Sequence, residues 1–89
     1  MSERNLELLQ FPTPYPIKVV CRQRDNLRQT IDEIVRRHTP DLTDAAIHER
    51  GSNAGHFVSI TYLLTAHSAQ HVSDLLGELL RHESVVMVI

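Results

Sequence analysis

The chain has no tryptophan, only two phenylalanines and two tyrosines, a single cysteine and no excess of positive charge in its 89 residues. One cysteine, Cys21, excludes an internal disulfide. Nine Lys and Arg against eleven Asp and Glu give a net charge of -2, so there is no basic surplus to neutralise a phosphate backbone, and nucleic acid is not an expected partner. No run approaches the roughly 20 apolar residues of a membrane span, and the first thirty residues hold no apolar signal core. A membrane partner is therefore not expected, and the expected location is cytoplasmic. The length suits one compact domain, with a radius of gyration of roughly 12 Å.

What is present is a change of hydrophobic period along the chain: two, then three to four, two, two, three to four, and two again. That order reads as strand, helix, strand, strand, helix, strand, an α+β ferredoxin-like βαββαβ sandwich with a four-stranded antiparallel sheet and two helices on one face. The strands are expected near residues 16–23, 44–50, 56–65 and 84–89, in the order 4-1-3-2, and the helices near 25–38 and 68–82. Residues 1–15 are read as an N-terminal arm and 16–89 as the domain. Alternate prolines at 12, 14 and 16 remove backbone donors, which argues against helix or central strand there.

In the first strand Ile17, Val19 and Cys21 share one face, expected to be core, and Lys18, Val20 and Arg22 share the other. Asp25 is read as the cap of the first helix, whose apolar stripe is Leu27, Ile31, Ile34, Val35 and His38. Its outer face offers i,i+4 pairs between Arg28 and Asp32, Asp32 and Arg36, and Glu33 and Arg37. Residues 51–55 read as a hairpin loop. In the strand that follows, Val58, Ile60, Tyr62 and Leu64 alternate with Ser59, Thr61, Leu63 and Thr65. Ser68 caps a second helix with the stripe Val72, Leu75, Leu76, Leu79 and Leu80, and Gly77 within it either costs about 1 kcal/mol relative to alanine or marks a close approach to the sheet.

The segments Leu8-Leu9-Gln10-Phe11-Pro12-Thr13-Pro14, Val35-Arg36-Arg37-His38-Thr39-Pro40, His56-Phe57-Val58-Ser59-Ile60-Thr61 and the closing Val85 to Ile89 together resemble the YbeD-like family of small bacterial proteins. The resemblance spans nearly the whole chain. It implies an ACT-like fold, similar to the ligand-sensing domains of amino-acid biosynthetic enzymes, in a family without an established biochemical activity, at most a regulatory connection, and no catalytic residue to carry over.

The chemical candidates are few, and no cofactor is expected. His67 and His71 stand four apart at the start of the second helix, but lack the third and fourth ligands a metal site needs. Cys21 with His48 or His56 suggests a thiol nucleophile, yet strand parity places the thiol in the core, where it acts as a small hydrophobe. An RNA-binding sheet needs aromatic side chains on its central strands, and Phe57 alone faces outward. The loop Arg22, Gln23, Arg24, Asp25 and Asn26 is the candidate ligand or partner contact, because a helix N-terminus flanked by two arginines favours a carboxylate. Against it, the loop has no glycine, Asp25 repels an anion, and a solvated turn with a helix cap accounts for the same residues. The chain is thus read as a small non-enzymatic regulatory or protein-interaction module, with a small-molecule effector left open. The alternatives are an enzyme with an unrecognised Cys/His site and an RNA-binding domain. The open face of the sheet is expected to carry apolar residues whichever register the last strand takes. The arm, through Leu6, Leu9, Phe11 and Tyr15, is its expected cover, with a homodimer second, and a protein partner is left open without a place on the molecule.

Overall fold

The computed structural model describes residues 8–52 and 54–89. The chain runs β1 (Thr13–Arg22), α1 (Leu27–His38), a 3-10 turn (Asp44–Ala46), β2 (Ile47–Gly51), β3 (Phe57–Ala66), α2 (Ala69–Arg81) and β4 (Val85–Val88), with the sheet in the order β2-β3-β1-β4. All pairings are antiparallel, and the radius of gyration is 12.8 Å. No helix among the described residues is long and apolar enough to cross a membrane.

The core lies between the sheet and the helices. Tyr15, Ile17, Val19 and Cys21 from β1 and Val58, Ile60, Tyr62 and Leu64 from β3 meet Leu27, Ile31, Ile34 and Val35 of α1 and Val72, Leu75 and Leu79 of α2. Leu80, expected in the α2 stripe, is instead exposed, since it falls beyond the arc that Val72, Leu75 and Leu79 define. Gly77 makes no close approach to the sheet: a Cβ added there meets only the end of the Arg81 side chain, at 3.6 Å. The second strand starts later than expected, because Asp44–Ala46 forms the 3-10 turn.

The largest correction concerns the arm. β1 begins at Thr13, so Pro14 and Pro16 are strand residues paired with Thr65 and Leu63. They are tolerated because of where their nitrogens point. Lys18 exchanges both backbone hydrogen bonds with Ile89 (3.0 and 2.8 Å), so the even-numbered residues of β1 direct their backbone polar groups toward β4. β4 reaches no further along β1 than this pair, and the two missing donors face an edge left open among the described residues. Tyr15 has the parity of Ile17 and is buried in the core, while Leu9 and Phe11 pack against the same cluster. The described part of the arm therefore extends the core and does not cross the open face; Leu6 lies outside the described residues.

The last strand also departs from a simple alternation. Val20 pairs with Met87 but Cys21 pairs with Val85, so Val86 is the extra residue of a β-bulge. Val85 and Val88 consequently both pack against the core, and Val86, Met87 and Ile89 are all exposed. The bulge resets the parity, so neither of the two registers expected for β4 occurs.

Candidate functional site

The loop from β1 to α1 does not gather its two arginines. Arg22 ends β1 on the open face of the sheet, in step with Lys18 and Val20. Its backbone N–H donates to the Ser84 carbonyl (2.8 Å). Arg24 turns toward the α2–β4 connection, where Nη1 donates to Glu83 Oε2 (2.8 Å) and Ser84 Oγ (2.9 Å). That arginine holds the Glu83 carboxyl below its ordinary range. The helix cap is Asn26 and not Asp25: Asn26 sits in the left-handed region (φ 59, ψ 21), which asparagine tolerates better than most residues, and makes no side-chain cap bond. Its carbonyl accepts from the N–H and the hydroxyl of Thr30 (3.0 and 2.9 Å).

Beside this loop lies a cavity of about 670 Å³, whose lining includes Arg24, Asn26, Arg28, Asp32, Arg36 and Glu49. Its arginines are already paired. Arg28 Nε bonds both oxygens of Asp32 (3.0 and 2.8 Å), Arg28 Nη1 reaches Glu49 (3.0 Å), and Arg36 pairs with Asp44 and the Leu42 carbonyl. Beneath it, the hydroxyl of the fully buried Tyr62 donates to Asp32 Oδ1 (2.6 Å), and burial together with the Asp32 carboxylate pushes the phenol far up. A chain of bonds thus runs from the core through Asp32 and Arg28 to the edge strand. Of the three expected i,i+4 pairs, only Arg28 with Asp32 forms as an ion pair; Arg36 and Arg37 reach Asp44 and Glu78 instead. The Tyr62–Asp32 bond was not visible in the sequence, where Tyr62 reads only as a core residue.

The histidine pair is structural. His71 Nδ1 accepts from the His67 N–H (3.1 Å) and His71 Nε2 donates to the His38 carbonyl (2.6 Å), so both ring nitrogens are occupied and α2 is clamped to the end of α1. Ser68 Oγ caps the helix by accepting from the His71 N–H (3.0 Å). Among the described residues no group of three or more His, Cys, Asp or Glu could hold a metal ion. Cys21 is fully buried, and burial pushes its thiol up to about 11.

The open face of the sheet differs in kind. Register puts Lys18, Val20 and Arg22 of β1, Phe57, Ser59, Thr61, Leu63 and Thr65 of β3, His48 and Arg50 of β2, and Met87 and Ile89 of β4 on that side. Phe57, Leu63, Met87 and Ile89 are 40, 51, 47 and 52% exposed, so nothing among the described residues covers them. No Asp or Glu occupies a strand position on this face, and Lys18, Arg22 and Arg50 enter none of the ion pairs among the described residues. The faces of His48 and Arg50 escape a reading of the sequence because Ile47 is the one apolar residue of β2, too few to set an alternation.

The fold is shared with known structures. The chain is similar to the ACT domain of a GTP pyrophosphokinase from Chlorobium tepidum (TM-score 0.67, 13% identity, covering 86% of this chain and 97% of that one). It is also similar to a Helicobacter pylori protein solved in solution (TM-score 0.69, 12% identity, covering 99% and 90%). Among sequences, it is 36% identical over 89 residues to a UPF0250 protein of Chromobacterium violaceum, covering all of both chains. A UPF0250 protein of Shewanella loihica is 39% identical over 83 residues, 93% of this chain and 92% of that one. Residues 6–89 match the model of a protein family of unknown function, DUF493, and the chain belongs to that family, the YbeD-like group of bacterial proteins that its sequence resembles.

Proposed function

We propose that the protein is a non-catalytic regulatory module that works by docking the open face of its sheet onto a partner protein segment carrying both apolar and acidic side chains. The observation that carries this reading is the coexistence on one face of exposed Phe57, Leu63, Met87 and Ile89 with Lys18, Arg22 and Arg50, and no carboxylate side chain among the strand positions. Exposed apolar side chains grouped with cations on one face favour a protein contact, and the sign of the charge selects the partner. A second copy seated face to face would set these three cations against their own images, so charge complementarity favours an acidic segment over a homodimer. The ACT-like fold supports the regulatory side of the reading.

A photocrosslinking residue at position 63 or 87, expressed in cells, is expected to yield a discrete protein adduct that the same residue at the exposed Ser73 of α2 does not. Adducts at all three positions, or at none, overturn the docking face. A species of twice the monomer mass assigns the face to a second copy. The enzyme alternative is tested at Cys21: with its thiol near 11, against about 8.5 for a free cysteine, alkylation at neutral pH is expected to run at least tenfold slower than that of a free thiol. Labelling at the free-thiol rate revives it.

A further inference from the structure

Within the open face three strands build a polar trough. Lys18, Thr61 and His48 lie in one cross-strand row and Val20, Ser59 and Arg50 in the next, from β1, β3 and β2 respectively. The middle strand contributes the two short side chains. The flanking strands contribute long ones, and stand roughly 10 Å apart at a spacing of about 4.8 Å per strand. A hydroxyl floor between cationic walls is the result, a cavity of about 270 Å³ lined by Lys18, His48, Glu49, Arg50, Ser59 and Thr61. Glu49 does not spoil its sign: opposite the buried Ile60 its side chain leaves toward the helix side, where its carboxylate is bound by Arg28 at 3.0 Å. Phe57 and Leu63 stand at the two ends of the floor along β3.

We infer that this trough is a binding site for a phosphate monoester, a small phosphorylated molecule with an apolar body. Two permanent cations on opposite walls exceed what one carboxylate neutralises and suit a dianion. The Arg50 fork, the Lys18 ammonium, the His48 ring and the two hydroxyls line the trough, so donors are available on its floor and on both walls. Val20 and the flanking Phe57 and Leu63 offer surface for the apolar part. The inference rests on the open face being the working surface of the protein. It adds that a phosphorylated ligand in the trough competes with the acidic segment for the same cations.

The test is a backbone-amide NMR titration of the full chain in low-salt buffer with phenyl phosphate, inorganic phosphate and acetate. Phenyl phosphate is expected to give saturable shifts at Lys18, His48, Arg50, Ser59 and Thr61, with an affinity several-fold above that of inorganic phosphate. Lys18→Gln with Arg50→Gln is expected to weaken it at least tenfold, and Thr61→Asp, which puts a carboxylate on the floor, likewise. Arg24→Gln should stay within twofold, and native spectra of each variant confirm folding. Four outcomes overturn the inference: shifts centred on the loop 22–26, undiminished binding by the double variant, acetate binding as tight as phosphate, or a single-stranded oligonucleotide binding more than tenfold tighter than phenyl phosphate. Crosslinked adducts without phosphate binding defeat the trough and leave the docking face standing. Phosphate binding without adducts defeats the docking reading and leaves the trough.

Discussion

The two faces of this molecule treat the same kind of residue in opposite ways. On the helix layer four of the five arginines among the described residues enter ion pairs, Arg81 being the exception: Arg24 ties the α2–β4 connection, Arg28 links α1 to β2, Arg36 secures the chain after α1, and Arg37 joins α1 to α2 through Glu78. On the sheet face Lys18, Arg22 and Arg50 stand among apolar residues and enter no ion pair among the described residues. Exposed ion pairs contribute little each, about 0–1 kcal/mol, so the helix-layer pairs serve chiefly to set geometry. The cations of the sheet face are held by no carboxylate among the described residues, which is what the proposed docking face and trough require. The comparison teaches that a charge count hides local charge: the net charge is -2, yet the strand positions of one face carry cations and no carboxylate.

The sharpest way to break this contrast is to truncate one leucine on each face. Leu75→Ala, in the core, is expected to cost about 2–5 kcal/mol in urea unfolding, whereas Leu63→Ala on the open face should stay within about 0.5 kcal/mol. Equal losses would mean that the open face is packed in solution and the two-faced description fails. A smaller effect isolates the polar chain under α1. Tyr62→Phe removes a buried hydroxyl that donates to a carboxylate, with an expected loss of about 1.5–3 kcal/mol, while Arg50→Gln on the opposite face should change stability by less than about 0.5 kcal/mol.

Gly77→Ala works in the other direction. The added methyl meets only the flexible end of Arg81, so removing the helical glycine should raise stability by up to about 1 kcal/mol; a loss would mean that α2 sits closer to a neighbour than the structure has it. The smallest effect is one of pH. His38 and Arg37, both bonded to Glu78, lower its pKa from 4.5. Folding therefore favours the ionised form, and its contribution is present above the unfolded value and lost as pH falls through the folded one. The stability of the wild-type protein should decline below about pH 4.5 more steeply than that of Glu78→Gln, in parallel acid titrations of unfolding.

Most of the fold was legible because periodicity carries it. The stripes Leu27, Ile31, Ile34, Val35 and Val72, Leu75, Leu79 and the alternation of Val58 to Leu64 each have one period and one solution. What was not legible depends on neighbours that periodicity does not see. Pro14 and Pro16 read as strand breakers, and only the short reach of β4 along β1 makes them strand residues. The bulge at Val86 cannot be read from five apolar residues in a row, which suit either face. At the candidate site, Lys18 and Arg22 were placed on the open face by parity, but His48 and Arg50 had no alternation to reveal them. The Arg24 contact with Glu83 joins residues 59 positions apart, a separation that no local pattern reveals.

The placement of Pro14 and Pro16 has a consequence for the solubility of the chain. An open strand edge is a template on which another polypeptide can add itself, donor to acceptor, and grow an aggregate. Along the part of β1 that β4 leaves uncovered, two successive edge-facing positions have no N–H to offer, so an incoming strand finds acceptors without matching donors. The motif that looks like an interruption of the strand thus makes this stretch of edge, open among the described residues, a poor template for a further strand.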